Sequence, residues 1–137
     1  MSSANEIAFR KAADQFYAAL NAMFSGDPTP MKAMWSHADD VTYMGPGGGL
    51  QVGWKQVLEI LEGHAELKLG GKVHPEDLHM TVGEDVAAMH SVQSGELMNV
   101  DGKPRKLSLR STSIFRKEAG AWKMIGHHTD QLAYIND

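Results

Sequence analysis

The stretch KLSLRSTSIFRKEAGAWKMIGHHTDQ, residues 106–131, decides the fold. Leu107, Leu109, Ser111, Ser113 and Phe115 alternate with Ser108, Arg110, Thr112 and Ile114, and after Glu118-Ala119-Gly120 the alternation resumes at Trp122 and runs to Gln131. A period of two on both sides of a glycine-containing turn predicts a long β-hairpin. Its second arm carries His127, His128 and Asp130, the densest group of ionisable side chains on any predicted strand, so this arm is expected to line a site.

Working outward, the same period extends back to Lys72. Val73 to Val82 is predicted as one strand, Gly83-Glu84-Asp85 as a tight turn and Val86 to Met98 as a second strand, with Asp101-Gly102 marking the turn into the hairpin. The first half is helical instead. From Asn5 to Phe24 the residues Phe9, Ala12, Ala13, Phe16, Leu20, Met23 and Phe24 fall three and four apart, one face of a helix, which Ser25-Gly26-Asp27-Pro28 ends. A short helix carries Met31, Met34 and Trp35. Val41 to Met44 is a short strand, Gly45-Pro46-Gly47-Gly48-Gly49 is expected to be a loop bordering the cavity, and a third helix runs from Trp54 to about His64.

Helices beside an antiparallel meander define an α+β domain spanning residues 1–137. A strongly curved sheet wrapped around the N-terminal helices leaves a cone-shaped cavity on its concave side. Strict alternation assigns Trp122 and Met124 to the opposite face with Ile114, apolar enough to predict a homodimer through the outer sheet face.

Composition bounds the function. A chain of 137 residues, 42% hydrophobic and 22% charged, is large enough to bury roughly two-thirds of its unfolded surface. A net charge of −4 offers nothing to a nucleic acid, and cysteine is absent, which excludes disulfides, thiolate metal sites and a cysteine nucleophile. No leader-like N-terminus and no long apolar run is visible, so neither a membrane partner nor export is expected and a cytoplasmic setting is. The seven histidines show no His-x-x-x-His spacing, and no metal is expected.

Particular residues carry a resemblance. Phe16-Tyr17-Ala18-Ala19-Leu20-Asn21, then Gly26-Asp27 and Asp39-Asp40-Val41-Thr42 ahead of Gly45-Pro46, resemble the opening of the ketosteroid-isomerase-like and SnoaL-like group of the nuclear transport factor two superfamily. Gly83-Glu84-Asp85 with Ala87, Thr112 with Phe115-Arg116, and Gly120-x-Trp122-Lys123-x-Ile125-x-x-His128 are similar to the association domain of calcium/calmodulin-dependent protein kinase two. The resemblance implies a cone-shaped roll. It also implies either cofactor-free isomerase, cyclase or hydratase chemistry or a noncatalytic oligomerisation module, because this scaffold hosts both.

Residue by residue, the resemblance puts Tyr17 at the helix tyrosine that ketosteroid isomerases use as an oxyanion donor. The position of their aspartate base is Gly45 here, and the strand near Thr112 has no carboxyl for the second acid. Gln93 and Ser113 fall where the kinase domain carries pocket arginines, so an anion-binding pocket is not expected. The kinase-domain phase turns Ile125, His127 and Thr129 inward, and Arg110 outward to pair across the dimer.

The expected catalytic groups are therefore His127, Tyr17 and Tyr43. Trp35, Met44, Trp54, Met89, Gln93, Ser113, Phe115 and Thr129 are expected around a small, apolar ligand.

Overall fold

The computed structural model describes residues 3–131. Helix α1 (Ala4–Phe24) begins at Ser3, whose hydroxyl accepts from the backbone N–H of Glu6 at 3.1 Å. Its stripe is buried from Phe9 through Met23. Helix α2 (Thr29–Met34) follows, then strands β1 (Thr42–Gly45) and β2 (Gly48–Val52), helix α3 (Trp54–Leu67), and strands β3 (Lys72–Val82), β4 (Val86–Val100), β5 (Lys103–Glu118) and β6 (Ala121–Gln131).

The six strands form one sheet in the order β2-β1-β6-β5-β4-β3. All neighbours are antiparallel except β1 and β6. The sheet's inner face packs on α1: Phe9 meets Phe115 and Trp122 edge-on at 5.0 and 5.5 Å. Nearer the helix's end, Asn21 bonds both the N–H and the C=O of Val73, at 2.7 and 3.0 Å, and so pins α1 to the start of β3. The result is the α+β roll that the hairpin and the helical stripe predict.

Two local expectations are corrected. The glycine run is not all loop: Pro46-Gly47 is the turn of a two-residue hairpin, and Gly48-Gly49 open β2, which pairs with β1. Gly48 and Gly49 sit at φ +97° and +85°, a conformation glycine adopts without strain, on an edge strand with a single partner.

Strict alternation also fails in β6. Ile114 pairs with Gly126 but Phe115 with Met124, so Ile125 is an extra residue in a bulge and the parity of everything before it is reversed. Trp122 and Met124 are consequently inside, 8% and 0% exposed, on the same face as His127 and Thr129. Arg110 makes a two-pronged pair with Asp130 of its own chain at 2.7 and 2.9 Å.

The outer face is mixed in character. His79, His90, Thr112, His128 and Met44 form a row across five strands. Towards β2, Ile114, Met44, Leu50 and Val52 are exposed large apolar side chains. Among the described residues no helix is long and apolar enough to cross a membrane, and no three His, Asp or Glu side chains are grouped to hold a metal ion.

Candidate functional site

A cavity of about 220 Å³ lies between α1, α3 and the concave sheet face. Phe16, Leu20 and Met23 of α1, Leu61 of α3, and Leu97, Leu109 and Met124 of the sheet make its apolar wall. Leu67, at the end of α3, also borders it and is 57% exposed, which marks where the cavity meets solvent. Five polar side chains face this space: Tyr43, His64, Gln93, His127 and Thr129. No Lys, Arg, Asp or Glu among the described residues lines it.

His127 stands on β6 between Ser113 of β5 and Tyr43 of β1, its partners across the two neighbouring strands. Its Nδ1 lies 2.7 Å from Ser113 Oγ. Ser113 is fully buried and that is its one side-chain hydrogen bond, so the hydroxyl proton has no other acceptor. A buried donor keeps its proton paired. Ser113 is therefore assigned as the donor to Nδ1, which puts the imidazole proton on Nε2, and Nε2 makes no hydrogen bond to any described residue. Burial, and then the positive charge of His128 and His64 nearby, pushes the His127 pKa down to about 4. Its ring is neutral at physiological pH.

Tyr43 lies beside it, the two rings inclined by 26° with centroids 5.9 Å apart. The phenol is 8% exposed, and its hydroxyl makes no hydrogen bond to any described residue. Burial pushes its pKa up to about 12, so it stays protonated. Gly45 is what lets the ring lie where it does: a Cβ at that position would stand 2.8 Å from both the ring edge and the hydroxyl oxygen of Tyr43. The phenol thus fills the space that a side chain at position 45 would occupy.

His64, on α3, is half-buried and 6.1 Å from the Tyr43 ring, and burial lowers its pKa. Trp35, just after α2, is 2% exposed and shares the cavity wall. Its indole N–H has no hydrogen-bond partner.

Of the residues expected at a site, His127, Tyr43, Trp35, Gln93 and Thr129 line this cavity, and Ser113 acts on it through the His127 bond. Five others stand elsewhere. Tyr17 turns its hydroxyl to Ser91 Oγ at 2.7 Å, with Gln93 also in reach. Met44 points to the outer face, since it is one residue out of phase with Tyr43. Trp54 stacks on His37 at 4.0 Å, outside the cone. Met89 and Phe115 belong to the packed core under α1, at the opposite end of the helix from the cavity's Leu20 and Met23.

Sequence reasoning passed over His64 and the wall residues Leu20, Leu61 and Leu97 as ordinary core. His64 did carry a signal, because it falls on the stripe of α3 that buries Val57, Leu61 and Ala65.

The chain belongs to the SnoaL-like domain family, whose model matches residues 10–133. No curated protein sequence matches it. Among solved structures, a candidate dehydratase of the NTF2-like family from Streptomyces avermitilis superposes with a TM-score of 0.80 at 20% identity, covering 92% of this chain and 95% of its own. A candidate calcium/calmodulin-dependent protein kinase type II association domain from Thiobacillus denitrificans gives 0.75 at 23% identity, covering 90% and 94%. A candidate ketosteroid isomerase from Shewanella frigidimarina gives 0.71 at 19%, covering 88% and 92%. At these identities the likeness shows the fold, the roll shared by NTF2-like and cystatin-like proteins.

Proposed function

We propose that this chain is a small-molecule-binding SnoaL-like protein whose cavity takes a largely apolar ligand, with Tyr43 and His127 meeting the ligand's polar end. The observation that carries the reading is the combination of a largely apolar cavity with two adjacent polar side chains on its wall, Tyr43 and His127, whose Oη and Nε2 make no hydrogen bond to any described residue. A polar group that lines a cavity without a bond to the chain takes its partner from water or from a ligand. His64, with its free imidazole near Tyr43, would equip the same cavity for proton transfer on a bound molecule without a cofactor. The dehydratase and isomerase assignments of two structural relatives point the same way.

Thermal-shift titration with ethylbenzene tests the binding reading. The wild-type protein should be stabilised in a saturable manner. Leu20→Trp, which projects an indole into the cavity, should remove that response at a cost of about 1–3 kcal/mol of stability from overpacking. No response in the wild type, or an undiminished one in the variant, would refute it.

Two copies are proposed to pair through the outer sheet face. The support is the exposed group of Ile114, Met44, Leu50 and Val52, and not Trp122 and Met124, which are internal. Light scattering should give the dimer mass for the wild type and the monomer mass for Ile114→Lys, because a lysine there puts a charge into an apolar contact. A monomeric wild type contradicts the pairing.

A further inference from the structure

Two donors stand together at one place on the cavity wall. Tyr43 brings an O–H and His127 an Nε2–H, side by side from adjacent strands, and neither proton has an acceptor among the described residues. Tyr17 provides the contrast, since its hydroxyl is already committed to Ser91. The indole N–H of Trp35 lacks a partner too, but like that of Trp122 it is sealed off and not offered to a ligand. His64, Gln93 and Thr129 carry acceptor atoms on the same wall, none of them bonded to either proton, so a ligand seated against the Tyr43–His127 pair has to supply the lone pairs.

We propose that the cavity is a receptor for an uncharged carbonyl compound of single-ring size, whose oxygen accepts from the Tyr43 hydroxyl and from His127 Nε2–H. This rests on the reading of the cavity as a ligand site and adds the chemical class of the ligand.

Three considerations narrow the class. A carboxylate or phosphate would also accept both bonds, but it would enter a space with no cation on its wall and stay uncompensated there. Arg110 is paired with Asp130, and Arg116 with Asp40 and Glu118. An alcohol offers lone pairs too. An alcohol oxygen that accepts both protons must also turn its own proton to a third group, whereas a carbonyl oxygen takes both bonds and has no proton to place.

Size supplies the third limit. A dry cavity of about 150 Å³ accommodates benzene, so about 220 Å³ fits about nine or ten non-hydrogen atoms. A four-ring molecule would extend past Leu67 into solvent.

Acetophenone, ethylbenzene, 1-phenylethanol and benzoate have nearly the same shape and differ in the polar group, so calorimetric titration with these four probes separates the terms. Acetophenone is expected to bind about tenfold more tightly than ethylbenzene and more tightly than 1-phenylethanol, and benzoate is expected not to bind. The carbonyl stretch of bound acetophenone should move to lower frequency in the infrared, and move part of the way back in Tyr43→Phe and in His127→Asn. Each variant should lose the preference for acetophenone, read as the ratio of its affinity to that of ethylbenzene measured on the same variant.

Equal affinity for acetophenone and ethylbenzene, an unshifted carbonyl stretch, or preferential binding of benzoate would overturn the carbonyl assignment and leave the apolar ligand site standing. Binding of none of the four would overturn the ligand site and the carbonyl assignment together.

Discussion

Phe115→Ala should lower the unfolding free energy by about 3–5 kcal/mol, read as a fall in the denaturant midpoint with an unchanged slope. Phe115 has no solvent exposure and packs edge-on against Phe9, 5.0 Å away at 81°, while Phe9 in turn meets Trp122. These three rings join the start of α1 to the strands β5 and β6, so deleting the Phe115 ring removes both its own burial and the support it gives Phe9. Phe115→Leu keeps most of the volume and should cost less than about 1.5 kcal/mol. The pair of variants also settles the residue's role. If Phe115 is core and not ligand wall, the leucine variant keeps the wild-type affinity for ethylbenzene. A markedly weakened affinity in that variant would return Phe115 to the binding site, and a loss under about 1 kcal/mol in the alanine variant would mean the core is not built as described.

That case shows how far a period-two pattern can carry a reading. The alternation of β5 correctly separates Leu109, Ser111, Ser113 and Phe115 from Arg110, Thr112 and Ile114, because a continuous antiparallel pairing keeps its parity. It says only which face a side chain joins. Whether a residue on that face packs in the core or borders the cavity depends on where α1 closes against the sheet, and this is set by contacts distant in sequence such as Asn21 with Val73. Phe115 and Leu109 share a face, yet one is under the helix and the other on the cavity wall.

The bulge at Ile125 was invisible for a related reason. An extra residue inserted in one strand leaves the apolar pattern looking regular on either side, and Trp122 and Met124 read as outward although they are internal. Downstream of the bulge the phase is right, which is why His127 and Thr129 fall inside. The edge strand β2 escaped because Gly48-Gly49 has no strand propensity of its own. It pairs because the Pro46-Gly47 turn folds it back onto β1. His64 is the site residue whose absence from the sequence reading is least excusable physically. A histidine on the buried stripe of a helix over an apolar concavity is either satisfied or waiting for a partner, and among the described residues none hydrogen-bonds to its ring.

Acid should destabilise the protein in a window that His127 defines. Its pKa is near 6.5 in the unfolded chain and about 4 in the folded one. Between those two values the unfolded state binds the proton and the native state does not, so stability rises with pH there and is lost as pH falls. The contribution is fully present above about pH 6.5 and fully gone below about pH 4, and between about pH 7 and about pH 4.5 the loss from this residue is about 2–3 kcal/mol. His64, also lowered by burial, acts in the same direction. Glu118, Asp40 and Asp130 are depressed by hydrogen bonds to Ser36, Arg116 and Arg110. Their contributions are present above the ordinary carboxylate range and fade only as pH falls through their lowered values, so they leave the upper part of the window to the histidines. His127→Asn, which can keep a bond to Ser113 but does not titrate, should therefore show a much shallower fall in unfolding free energy between about pH 7 and about pH 5, whatever its absolute stability at neutral pH. Urea denaturation of both proteins at half-unit pH steps measures this directly. Parallel curves for the wild type and the variant would mean that His127 takes up its proton as readily in the folded protein as in the unfolded chain, and a ring charged below about pH 6.5 would put a positive charge on the cavity wall and open the site to anions there.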